Sequence, residues 1–339
     1  MRIRSAISSE AFTELVRPKL ILFLSVDVVG STDMKHQRLG SKEAQPWLGF
    51  FVNFYTTFPD FVDVEVAEQA SRLTIKERNK LRQLRLWKIL GDELIFTVEI
   101  AGRFHAGLYL RAFRRALQQA AKNWRITLQD DLPIKGTAWL AGFPLGNAEI
   151  PLDTALGDSE NGDKHDHNYI GPYIDTGLRL KDHATPRKLI LSADLAYLLI
   201  SAGKHGLRIF FDGDEALKGV MKGKHYPIVW ADCEDLRAKQ SPSSLHHIKD
   251  RLLGRKAANV KSLKSYLLAW LDDSKGKVKT PFIYTDQFSD LREPKSYRDE
   301  HKAVVGQLYS TYYRMEQEKN GGESRVPDAI AAFLRRKAS

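Results

Sequence analysis

The stretch LILFLSVDVVGSTDM, Leu20–Met34, opens as an apolar run and breaks after Asp27 into Gly30, Ser31 and Thr32. An apolar run of this length that ends in small and polar residues has the pattern of a buried central strand followed by a turn. The carboxylate at its end has two possible uses. It can cap the turn, because Asp, Ser and Thr all bond nearby amides. Alternatively, it can face a ligand that the glycine lets the backbone approach closely. The choice depends on what else the chain brings to Asp27.

Working outward, helices and strands alternate. EAQPWLGFFVNFYTTFPDFV (43–62) reads as a helix, followed by a charged, helix-prone segment, EQASRLTIKERNKLRQ (68–83). RLWKILGDELIFTVEI (85–100) holds two β-rich runs joined at Gly91–Asp92, a hairpin turn signal in reversed order. A helix is expected from Arg103 to Trp124, and a strand over PIKGTAWLAGF (133–143). GDSENGDKHDHN (157–168) reads as an exposed polar loop, YIDTGLRLKDH (173–183) as a helix, KLILS (188–192) as a strand and ADLAYLLISAG (193–203) as a helix ending at Gly203. LRIFF (207–211) and HYPIVWA (225–231) close the pattern as paired strands. The order βαββαβαβαββ defines an α/β sandwich with mixed pairing. From about Asp235 onward helical periodicity persists with little strand character. Residues 1–235 are therefore expected to form one α/β domain and 236–339 a helical C-terminal extension.

Composition limits the function classes. The chain has 339 residues, 43% of them hydrophobic, enough to bury a full core. No uncharged apolar run reaches the ~18 residues of a membrane span, and the charged N-terminus has no secretory pattern, so a cytoplasmic protein is expected. The single cysteine, Cys233, excludes an internal disulfide and a cysteine-based zinc site, and is expected to be a small buried hydrophobe. The net charge of +10 is spread among charges of both signs, with no basic block, which points to an anionic partner that a polyphosphate substrate satisfies as well as DNA does; nucleic acid explains the charge but not the motifs below.

The hairpin turn supplies a second carboxylate. Asp92 in the turn and Asp27 at a strand end, brought side by side in one sheet, would offer oxygen ligands to divalent cations, Mg²⁺ or Mn²⁺. Two such ions could activate an attacking hydroxyl and neutralise a triphosphate, while the amides of Val28, Val29, Gly30, Ser31 and Thr32 cradle phosphate oxygens.

SVDVVGST (Ser25–Thr32) followed by KILGDELIF (Lys88–Phe96) resembles the two metal motifs of class III nucleotidyl cyclases. That family converts nucleoside triphosphates into 3′,5′-cyclic monophosphates and pyrophosphate. In YIGPYIDTGLRL (Tyr169–Leu180), Gly171, Asp175 and Arg179 have the spacing of the family's Gly, Asn and Arg, with Asp175 in place of the Asn. ALKGVMKGKHYPIVW (Ala216–Trp230) resembles its closing Lys-Gly hairpin, which puts Lys218 at the triphosphate. The match spans about Leu20 to Trp230. Asp27 and Asp92 lie 65 positions apart, longer than the family pattern, so the segment near Glu68–Arg85 reads as an insertion.

The resemblance implies two Mn²⁺ or Mg²⁺ ions held by Asp27, the Val28 carbonyl and Asp92, with Arg179 and Asp175 as catalytic residues. It also implies a homodimer with composite active sites, the metal acids and the Arg coming from different subunits. Lys88 and Asn168 stand where the family reads the base. A lysine gives donors only and an amide gives both kinds of group, a combination that suits uracil's O4, O2 and N3–H. A soluble cyclase with a helical tail resembles the pyrimidine cyclases of bacterial Pycsar antiphage defence, whose product is read by a separate effector. UTP is thus the first expected substrate. Cytidylate cyclase, adenylate or guanylate cyclase, and a catalytically silent nucleotide-binding regulator are the alternatives.

Other groupings carry less. His165 and His167 with Asp163 and Asp166 read as an exposed segment and not a transition-metal site, and His246–His247 as surface. Trp47, Phe50, Phe51, Phe54, Tyr55 and Phe58 have helical spacing and read as core or dimer interface.

Overall fold

The computed structural model describes residues 2–3, 9–37, 46–127, 133–153, 167–203, 205–234, 245–274, 276–283 and 293–319. Its strands are β1 (Arg2–Ile3), β2 (Lys19–Val28), β3 (Arg85–Leu90), β4 (Glu93–Glu99), β5 (Ile134–Phe143), β6 (Ala148–Asp153), β7 (His167–Ile170), β8 (Lys188–Leu191), β9 (Ile209–Ala216) and β10 (His225–Asp232). Its α-helices are α1 (Ser9–Val16), α2 (Ser31–Gln37), α3 (Pro46–Ser71), α4 (Ile75–Arg78), α5 (His105–Thr127), α6 (Pro172–Leu180), α7 (Ala193–Ala202), α8 (Leu245–Leu252), α9 (Val260–Asp273) and α10 (Tyr297–Lys319). Among the described residues no helix is long and apolar enough to cross a membrane. The chain forms two compact units, one of Met1–Leu20, Ala141–Asp175 and Glu293–Ser339, the other of Ile21–Leu140 and Thr176–Arg292.

The larger unit is built on a seven-stranded mixed sheet, ordered β3-β4-β2-β5-β8-β10-β9. The Leu20 run is apolar throughout because β2 lies inside this sheet with both faces covered. On one face Leu24 pairs in register with Phe96 of β4, and Phe96 meets Phe58 of α3. On the other face, Phe23 stacks on Trp139 of β5 at 5.2 Å. Gly177 of α6 lies so close to that indole that a Cβ there would come within 2.2 Å of Trp139 Cδ2. A side chain at 177 would push α6 away from the sheet.

The elements expected from the sequence occur in the expected order, as β2-α3-β3-β4-α5-β5-α6-β8-α7-β9-β10, and the structure adds β1, α1, α2 and α4 to them and inserts β6 and β7 between β5 and α6. The fold is the expected α/β sandwich, with helices α8, α9 and α10 following the last strand. The aromatic run is core: Phe50, Phe51, Phe54 and Phe58 are buried on α3, where Phe50 and Phe54 pack edge-on against Trp124 of α5. Cys233 is a buried free thiol, as expected. His246 is exposed, 3.2 Å from Glu234.

Two expectations are corrected. α3 continues through Ser71 into the charged segment, carrying Pro59 inside it, because its buried face extends to Val62, Glu65 and Gln69. The polar stretch 157–168 is not loop throughout: His167 and Asn168 begin β7, paired with Pro151 and Ile150 of β6. Backbone ladder bonds make that strand, and its side chains show no alternation that a pattern search could detect. The remainder of that stretch, with His165, Asp163 and Asp166, lies outside the described residues.

The smaller unit joins β1, β6 and β7 in a three-stranded sheet. In it α1 packs on α10 through Phe12, Val16 and Val305, with Tyr309 and Tyr312 edge-on to Phe12.

Candidate active site

Strand pairing brings the two carboxylates together. Asp27 is the penultimate residue of β2 and is in register with Glu93 of β4. Gly91 and Asp92 form the two-residue turn between β3 and β4, Leu90 facing Glu93, and Gly91 has the positive φ of 65° that such a turn favours in glycine. The amide of Val28 donates to Asp92 O at 3.3 Å, and Ser31 Oγ donates to Asp92 Oδ2. The Gly30 turn, at φ 75°, is thereby bonded to the hairpin turn. The hydroxyl of Tyr55 on α3 donates to Gly91 O and steadies the same turn from the helix side.

The electrostatics favour a cation. Burial pushes the Asp27 carboxyl above its ordinary range, Lys135 pulls it back, and Asp92 and Glu93 push it further up. Lys135 Nζ of β5 lies 3.2 Å from Asp27 Oδ2. Burial and Asp92 also raise the Tyr55 phenol. Glu93 is buried and committed elsewhere, accepting from Ser25 Oγ at 2.5 Å and Lys181 Nζ at 2.6 Å. Among the described residues no group of three or more His, Cys, Asp or Glu could hold a metal. Mg²⁺ needs only one or two carboxylates when substrate phosphates and water complete its shell, and two mutually repelling acids beside a carbonyl meet that requirement.

The phosphate side of the site is narrower than expected. Val29 N donates to Pro133 O at 2.9 Å and Val28 N to Asp92 O, so neither amide is open to a ligand. The turn at Gly30, Ser31 and Thr32 remains, where the first amides of α2 have no carbonyl within the helix. Lys218 is exposed in the loop between β9 and β10.

Asp175 and Arg179 lie one turn apart on α6, both exposed. Gly171 immediately precedes the helix, and its φ of 138° and close approach to Asn147 admit no side chain: a Cβ would meet Asn147 Oδ1 at 2.5 Å. Buried Asn147 accepts from Tyr173 N at 3.2 Å and donates to Gly142 O at 3.0 Å, holding the helix start in place.

Lys88 follows a register shift in β3, half-buried, with its ammonium 4.5 Å above the Trp87 ring, and burial lowers its pKa. Bulges commonly re-aim a side chain in this way. Asn168 is on β7 in the smaller unit.

Sequence reading missed Lys135, Glu93, Lys181, Tyr55 as a turn partner, and Asn147. Only Glu93 carried a signal, as the residue after Asp92. The others are lone residues whose roles come from long-range contacts.

No family model matches the chain, and no curated protein matches it in sequence. Solved structures are similar to it. The adenylyl cyclase CyaB from P. aeruginosa is 15% identical at a TM-score of 0.43, over 65% of this chain and 97% of that one. The guanylate cyclase domain of RhGC from Catenaria anguillulae, in complex with GTP, is 11% identical at 0.42, over 64% and 97%. An adenylate/guanylate cyclase/hydrolase from Silicibacter pomeroyi is 12% identical at 0.39, over 65% and 99%.

Proposed function

We propose that the chain is a nucleotidyl cyclase that converts a nucleoside triphosphate, UTP first, into its 3′,5′-cyclic monophosphate and pyrophosphate. The observation that carries this reading is the joining of Asp27 and Asp92 across β2 and the β3–β4 turn, with Ser31 of the Gly30 turn bonded to Asp92. Divalent cations, Mn²⁺ or Mg²⁺, held by Asp27, Asp92 and the Val28 carbonyl would supply activation of the 3′-hydroxyl and neutralisation of the triphosphate.

The residues of the chain do the rest by position. The 3′-oxygen attacks the α-phosphorus in line with departing pyrophosphate, so negative charge grows on the phosphoryl and leaving oxygens. Arg179 donates to that charge, and its guanidinium suits a phosphoryl group through paired hydrogen bonds. Lys218 and the turn at Gly30, Ser31 and Thr32 take the outer phosphates. Asp175 holds the position beside Arg179 that is an Asn in the resembled family. Lys88 and Asn168 read the pyrimidine edge.

In this reading the active form is a homodimer, each site taking its carboxylates from one subunit and Arg179 from the other. The cellular role is a cytoplasmic antiphage signal read by a separate effector. Cytidylate, adenylate and guanylate cyclase are the neighbouring alternatives. A silent nucleotide-binding regulator is disfavoured because both carboxylates and the arginine are present.

The test is incubation of purified protein with each of the four ribonucleoside triphosphates and Mn²⁺, followed by mass identification of the product. Cyclic UMP is expected. A different cyclic nucleotide would reassign the base, and none from any substrate would leave the silent regulator.

A further inference from the structure

The loop 217–224 between β9 and β10 carries Lys218, Lys222 and Lys224, and its backbone is unusual. Met221 and Lys222 have φ of 49° and 55°, between Gly219 at 76° and Gly223 at 80°. Two successive non-glycine residues in the left-handed region cost free energy that the surroundings must offset. The internal bonds of the loop are few and short-range: Val220 N to Leu217 O, Gly223 N to Val220 O and Lys224 N to Met221 O.

Helix α9 grips this hairpin on both strands. Tyr266 donates to the Asp214 carboxylate of β9 at 2.5 and 2.6 Å and packs on Phe211. Trp270 donates from Nε1 to His225 O of β10 at 3.1 Å and packs edge-on against Tyr226. At the end of α9, Lys224 Nζ donates to the Asp273 carboxylate and, at 2.8 Å, to Asp273 O. Lys218 and Lys222 remain exposed, and no described carboxylate takes them.

We infer that α9 is a strut for the lysine loop, with Asp273 and Tyr266 as positioning residues that hold Lys218 and Lys222 ready for a polyphosphate. This deepens the cyclase reading and rests on it for the identity of the polyphosphate. It assigns part of the segment after residue 235 to substrate binding.

A simple charge argument predicts the opposite effect. Neutralising Asp273 makes the loop more positive, which by itself would tighten anion binding. If the strut matters more, binding weakens. The experiment uses the full chain with Asp273→Asn and Tyr266→Phe combined, and inorganic tripolyphosphate as the calorimetric probe. The expected result is a Kd raised about three- to tenfold, with KM for the nucleotide raised alike and kcat within about twofold. Amide exchange at Val220, Gly223 and Lys224 should quicken, and Asp273→Glu should keep wild-type affinity. Unchanged exchange, or tripolyphosphate binding that is unchanged or tighter, overturns the strut. If wild type makes no cyclic product, the cyclase reading fails, and exchange with tripolyphosphate binding still decides the strut.

Discussion

Lys135 Nζ lies 3.2 Å from Asp27 Oδ2, so a β5 side chain places a positive charge on the carboxylate that the sequence marks as a metal ligand. A cation entering there must displace or share that ammonium. Lys135→Met should therefore tighten Mn²⁺ binding while lowering the melting temperature of the metal-free protein. Both partners are mostly sheltered, and a pair of this kind contributes about 1 kcal/mol, so about a fivefold change in affinity is expected. Titration followed by the electron paramagnetic resonance of free Mn²⁺ measures it. Weaker binding in the variant would mean that Lys135 assists the cation and does not compete with it.

Asp27→Ala and Asp92→Ala should each abolish turnover and leave the fold intact, since each removes one of two acids that repel each other without cations. Relief of that repulsion is offset by the contact each variant loses, the Lys135 pair in Asp27→Ala and the Ser31 bond in Asp92→Ala, so a small fall in melting temperature is expected from each. Circular dichroism beside a turnover assay decides. More than a few per cent of activity in a folded variant contradicts the two-metal assignment.

Mixing inactive Asp27→Ala protein with inactive Arg179→Ala protein should restore activity, because a mixed dimer has one site with both lesions and one with neither. Free exchange puts the recovery near a quarter of wild type. Proven subunit exchange with no recovery would show that each chain builds its site alone.

Asn168→Asp should penalise UTP against CTP, since a uracil carbonyl would lose an amide donor and face a carboxylate. The penalty is on the order of 1–3 kcal/mol, about ten- to a hundredfold in relative kcat/KM. Both substrates in one tube, with both products counted, give the ratio. An unchanged ratio removes Asn168 from the base pocket.

Asp194 is fully buried at the start of α7, and burial pushes its carboxyl up to about 6 despite bonds from Ser192 and the Leu195 amide. Its folded pKa lies above its unfolded value, so the folded state binds the extra proton and stability falls as pH rises from about 4 to 6. Asp194→Asn keeps the acceptor and removes the buried charge, although its amide hydrogens need partners. It should add about 1–3 kcal/mol at pH 7.5, an advantage that shrinks by pH 4.5. Urea midpoints of both proteins at the two pH values test this, and a constant difference would mean that Asp194 does not titrate in this range.

Local patterns in the sequence were enough to place the strands and helices of the seven-stranded sheet in order and to mark two strand-end acids. β2 was legible because a strand covered on both faces is apolar throughout, and the Gly91–Asp92 turn because a tight hairpin demands particular residues. The motifs around Asp27, Asp92 and Arg179 were legible because they occur in order, and strand pairing brings Asp27 beside the turn that carries Asp92. What the chain hid depends on strand register and on contacts distant in sequence. β7 is made by backbone pairing with β6, to which its side chains contribute no pattern. Lys135 reaches Asp27 only because β5 lies beside β2 in the sheet. Glu93 is buried with Ser25, 68 positions away, and Lys181, 88 positions away. Val28 and Val29 looked like open phosphate donors in the sequence, and only the packed turn shows their amides already bonded to Asp92 and Pro133. A hydrogen bond needs two partners, and a single sequence shows which groups exist without showing which of them the fold brings within 3 Å.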